Sequence, residues 1–118
     1  MQNDVDKLYE KLVEYEEVEK FLDYIDEVDD MLFEEDYNNK KVKEIESKIS
    51  IETKFLLGFE NSDKLGFEKN YENPNKQVLE NLRIRLYYIA LLKVLEEKGI
   101  EIPKDFLNKD FDSLIKFI

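Results

Sequence analysis

The apolar positions in the first third of the chain fall into two series. Val5, Leu8, Leu12 and Tyr15 recur at spacings of three and four, which places them on one face of a helix. Asn3 and Asp4 are suited to cap its start. Val18, Phe21, Leu22, Ile25, Val28 and Leu32 form the second series. At about 100° per residue this series lies nearly opposite the first. Two arrangements satisfy the change of face. The chain breaks or bends near residues 15–18, or one straight helix packs its two halves against different neighbours, such as a second copy of the chain. No Gly or Pro occurs before Gly58, so the straight helix over residues 4–36 is the expectation. It would be about 50 Å long.

Tyr37-Asn38-Asn39 reads as a turn. Val42, Ile45, Ile49 and Leu56 mark a second helix over about 40–57, with Gly58 placed to end it. Residues 58–75 carry no clear period and predict either a short hairpin or an ordered loop. From Lys76 to Lys98 the pattern is helical again. Between Leu86 and Leu92 it is apolar on every side, so this helix belongs at the centre, with Gly99 as its stop. Pro103 opens a last helix carrying Leu107, Phe111, Leu114 and Ile118. The expected architecture is all-α: a four-helix bundle-like domain with a long N-terminal helix and an irregular excursion at about 58–75. Residues 1–118 form a single domain in this reading.

Composition narrows the chemistry. The chain has no Cys and no His. Thiol nucleophiles, thiolate metal sites, the usual general base and the near-neutral switch are therefore excluded. We expect no catalytic residue, no cofactor and no resident metal. No secretory signal and no membrane-length apolar run is visible, which fits a cytoplasmic protein.

Charge adds the most specific information. The net charge is −11. Residues 1–36 hold 15 Asp/Glu and 3 Lys, a net of −12, whereas residues 37–118 hold 14 Asp/Glu and 15 Lys/Arg, a net of +1. Such a balance disfavours direct binding to nucleic acid. Within residues 14–36, the carboxylates of Glu16, Glu19, Asp23, Asp26, Glu27, Asp30 and Glu34 share a sector of roughly 100° on the expected helix. Like charges three or four apart cost about 0.2–0.5 kcal/mol per pair, so the row does not stabilise its own helix. It is either a solvated face that aids solubility or a docking surface for a basic partner. Its spacing of about 6 Å is close to that of phosphates along a strand. A basic groove that normally takes nucleic acid is therefore a natural counterpart.

Other candidates carry less. The string Asp26-Glu27-Val28-Asp29-Asp30-Met31-Leu32-Phe33 resembles the second acidic motif of the all-α MazG-like nucleotide pyrophosphohydrolases, and Glu16-Glu17-Val18-Glu19 resembles their first. The resemblance implies a magnesium-dependent enzyme whose two motifs face each other from separate helices. Here seven residues separate Glu19 from Glu27, so both pairs lie on one helix. Asn61, Asp63 and Glu68 lack the spacing of a calcium loop and read as a polar turn. Arg83 and Arg85 are the only arginines. Either their stems follow the core edge with the heads in solvent or on a carboxylate, or one of them pairs with the first helix. Tyr87 and Tyr88 read as core, since base stacking needs surrounding positive charge.

The expectation from sequence is a small acidic binding protein of the stoichiometric-inhibitor class. By charge and size it fits immunity, anti-restriction and anti-CRISPR proteins. A self-associating adaptor, dimerising through Val5, Leu8, Leu12 and Tyr15, is the alternative. The MazG-like enzyme stands behind both.

Overall fold

A computed structural model describes residues 4–50, 74–101 and 116, with side chains from residue 7 onward. The architecture is all-α, with no strand among the described residues. Helix α1 spans Asp4–Leu12, α2 spans Glu19–Glu34, α3 spans Asn39–Lys48 and α4 spans Pro74–Glu97. Helix α3 ends at Lys48 with Ile49 as its C-cap, short of the end expected near residue 57; residues 51–57, residues 58–73 of the excursion, the Asn61–Glu68 turn and the helix after Pro103 lie outside the described residues, as does the Val5 side chain.

The straight helix over 4–36 does not form. After Leu12 the bonding tightens: Glu14 N–H donates to the Lys11 carbonyl at 3.3 Å and Tyr15 N–H to that of Leu12 at 3.0 Å. Tyr15 is extended, with φ −112 and ψ 114, and a single 3-10 turn, Glu16–Val18, leads into α2. The reason is hydrophobic. A straight helix can turn only one of its two stripes toward a given core. The break brings both to one core, and Leu8, Leu12, Val18 and Ile25 are each 0% exposed. Burying Leu8 and Leu12 stabilises by about 1.5–3 kcal/mol each. The helical hydrogen bonds forgone are worth about 0.5–1.5 kcal/mol net apiece, and the tighter turn bonds recover part of that.

Helix α2 buries Phe21, Leu22, Ile25, Val28 and Met31, chiefly against α4. Its C-terminus is closed by Glu35 in the left-handed region at φ 53, with the N–H groups of Glu35 and Asp36 both donating to the Met31 carbonyl. Asn38 then caps α3: its side chain accepts from the Lys41 N–H at 3.1 Å. Val42, Ile45 and Ile49 turn inward.

Helix α4 is the central element, as its apolar run predicts. Every residue from Leu86 to Leu92 is buried, Tyr87 and Tyr88 included. Gly99 ends it at φ 70. Gly99 N–H bonds to the Glu96 carbonyl and Ile100 N–H reaches back to that of Leu95 at 2.9 Å, while Ile100 packs on the core. This is the Schellman arrangement of bonds and apolar contact.

The two arginines point to different sides of α4 and tie it to different helices. Arg83 Nε lies 2.7 Å from Asp29 Oδ1 of α2, and Arg85 Nη2 lies 3.5 Å from Glu46 Oε2 of α3. The short Arg83 contact is an ion pair and not an aligned hydrogen bond, because its N–H is directed away from the oxygen. The Arg83 guanidinium also sits 5.8 Å from the centre of the Tyr87 ring. Both arginine heads thus reach a carboxylate, and that of Arg83 lies within residues 4–36, where one long first helix was expected. No described helix is long and apolar enough to cross a membrane.

Candidate docking face

The acidic residues expected to act together are divided by the break. Glu16 sits in the 3-10 turn, while Glu19, Asp23, Asp26, Glu27, Asp30 and Glu34 lie along α2. On α2 they occupy the side away from the buried stripe, because acids and apolar residues alternate there with the helical period. Glu16, Glu19, Asp23, Asp26, Asp30 and Glu34 are exposed, and Glu27 is half-buried.

Two of the carboxylates are engaged within the fold. Asp26 Oδ1 accepts a hydrogen bond from the Tyr9 hydroxyl at 2.9 Å. Burial, followed by this bond and the charges of Asp26, Asp23 and Asp29, pushes the Tyr9 phenol up to about 12. Glu27 pairs with Lys41 of α3 at 3.3 Å. Of the lysines after the turn, Lys41 reaches the acidic segment, where it meets Glu27 and not the nearer Glu34–Asp36 run. Among the described residues, no cation lies within ion-pair distance of Glu16, Glu19, Asp23, Asp30 or Glu34. Lys20, which the sequence places near Glu16 and Asp23, instead lies 5.0 Å from the centre of the Phe21 ring.

The helix dipole separates the remaining acids into two kinds. Glu16, Glu17 and Glu19 surround the N-terminus of α2, which has no side-chain cap. Negative charge there is stabilising, by about 0.3–1 kcal/mol per group. At the other end Glu34, Glu35 and Asp36 crowd the C-terminus, where no basic residue occupies the last turn and the dipole opposes them. The acids at the start of α2 therefore have a structural reason to be present. Asp30, Glu34 and their neighbours at its end do not.

A shallow cleft of about 170 Å³ lies beside this end, lined by Glu27, Asp30, Glu34, Asp36 and Lys41 among others. Its carboxylates do not converge: among the described residues no three acidic side chains stand close enough to hold one metal ion. Glu19, Glu27 and Asp30 all lie on α2, so the two acidic pairs of the MazG-like reading do not face each other from separate helices.

Three of the four residues of the alternative self-association face are drawn into this fold. Leu8 and Leu12 are fully buried within the chain and Tyr15 is half-buried against the same core. The apolar patch and the acidic row, which share an azimuth on a straight helix, are parted by the break.

Sequence reasoning missed three participants. Tyr9 and Lys41 reach the acidic face from neighbouring elements, which no local pattern announces. Phe33 projects from α2 with 91% of its surface exposed. Its signal was present in the helical period, since at about 100° per residue it falls outside the buried stripe and beside Asp26 and Asp30. No protein-family model matches the chain, and no curated protein or solved structure matches it either.

Proposed function

We propose that this protein is a small acidic binding protein that docks the outer face of α2 on a basic surface of a partner protein, in the manner of a stoichiometric inhibitor. The observation that carries this reading is the unpaired, dipole-opposed acid at the end of α2: Asp30, Glu34, Glu35 and Asp36 are all exposed, and the fold gains nothing from them. A basic groove that otherwise takes nucleic acid suits the row by charge and spacing. Binding would begin with electrostatic steering and end with occlusion of that groove.

The test is capture at low salt with the wild-type chain and with the triple variant Asp23→Lys, Asp30→Lys, Glu34→Lys. These positions spare the Glu27–Lys41 and Tyr9–Asp26 contacts, so the fold should survive. Wild type should retain a basic protein that nucleic acid displaces, and the triple variant should retain none. Equal retention by both chains would refute the reading.

A further inference from the structure

We infer that the docking face is centred on Phe33 and that its partner carries an apolar pocket rimmed by basic side chains; this rests on the acidic-docking reading above and specifies its partner. Phe33 is 91% exposed, although α2 buries five other apolar residues on its inner side. Because it is on the last turn of a helix closed by the Glu35–Asp36 cap, its backbone is held in place. A rigid aromatic loses little conformational freedom on binding, which is why such residues serve as anchors at interface centres.

Its surroundings specify the chemistry of the occupant. Around α2 the order is Phe33, Asp26, Asp30, Glu34 and Glu27, at about 100° per residue. An aromatic bordered on one side by carboxylates matches an apolar hole flanked by Lys or Arg. The same carboxylates repel phosphate, so Phe33 is not a stacking platform for a nucleic-acid base. A desolvated centre with a charged rim also divides the labour of binding: the acids set the on-rate and Phe33 sets the off-rate.

The probes are two designed helical peptides of equal positive charge, one with a leucine stripe flanked by lysines, the other with serine in place of leucine. Fluorescence anisotropy of the labelled peptides should show wild type binding the lysine–leucine peptide about tenfold more tightly. Phe33→Ala should bind both peptides as wild type binds the lysine–serine one. Circular dichroism checks its fold, which an exposed position leaves intact. The triple lysine variant should bind neither. If wild type binds the two peptides equally, or Phe33→Ala keeps the preference, the Phe33 inference is overturned while acidic docking stands. If wild type binds neither peptide, the docking reading itself falls. Binding to single-stranded oligothymidine, or a Phe33-dependent dimer in sedimentation, would also overturn the inference by showing a different occupant.

Discussion

The Tyr9 hydroxyl donates to Asp26 across 2.9 Å, although 17 residues separate them. On a continuous helix they would stand about 25 Å apart. The bond therefore exists only because the chain breaks between α1 and α2 and returns α1 to α2. Removing the hydroxyl in Tyr9→Phe should lower stability by about 1 kcal/mol in urea unfolding. An unchanged midpoint would mean that the two elements are held by packing alone.

The same bond has a pH signature. The Tyr9 phenol is raised from 10.0 to about 12, so the folded state holds its proton more tightly than the unfolded state. Its contribution to stability is complete below pH 10 and is lost as the pH rises toward 12. Absorbance titration should show a late step that belongs to Tyr9. That step should be absent in Tyr9→Phe and should move down in Asp26→Asn. A titration identical in all three chains would contradict the assignment.

Leu8 and Leu12 distinguish the observed fold from a straight N-terminal helix. Both are 0% exposed, so Leu8→Ala and Leu12→Ala should each cost about 2–5 kcal/mol. Were α1 a projecting arm, each change would stay within about 0.5 kcal/mol. Thermal or chemical unfolding of the two variants decides.

Two backbone positions should respond to glycine in opposite directions. Glu35 holds φ 53 without being glycine, and its charge lies at the unfavourable end of α2. Glu35→Gly should stabilise by about 0.5–1 kcal/mol. Gly99 holds φ 70, with no atom within 4 Å of an added Cβ, so Gly99→Ala should cost about 1 kcal/mol through backbone strain alone.

The paired arginines give a smaller effect. Arg83 and Asp29 are partly exposed, with side-chain accessibilities of 25% and 39%. A double-mutant cycle through Arg83→Met and Asp29→Asn should return a coupling of about 0.5–1 kcal/mol, reduced by salt. A coupling of zero would leave the approach of the Arg83 guanidinium to the Tyr87 ring as its contribution at this site.

These relationships show where sequence reading works and where it stops. Helix α4 was legible because an apolar run from Leu86 to Leu92 admits one location, and Gly99 marks its end by a backbone angle that few residues tolerate. The turn at Tyr37-Asn38-Asn39 was legible through its cap. The break at residues 13–18 was also encoded, in the jump of the apolar stripe from Leu12 to Val18. The absence of Gly and Pro does not by itself keep a helix continuous. Burial of two leucines outweighs a few helical bonds, so no breaker is needed. The acidic row was visible as a pattern, but its division was not. Only the fold shows that Glu16 and Glu19 serve the N-terminus of α2, that Tyr9 and Lys41 engage Asp26 and Glu27, and that Phe33 is left outside.

The most direct test is the association rate of the captured partner as a function of salt. Between 50 and 300 mM sodium chloride, on the order of the range over which the Debye length shrinks from about 14 to about 6 Å, the wild-type on-rate should fall steeply. In the Asp23→Lys, Asp30→Lys, Glu34→Lys variant it should be low throughout. An on-rate indifferent to salt, or a variant that associates as fast as wild type, would contradict docking through the acidic face of α2.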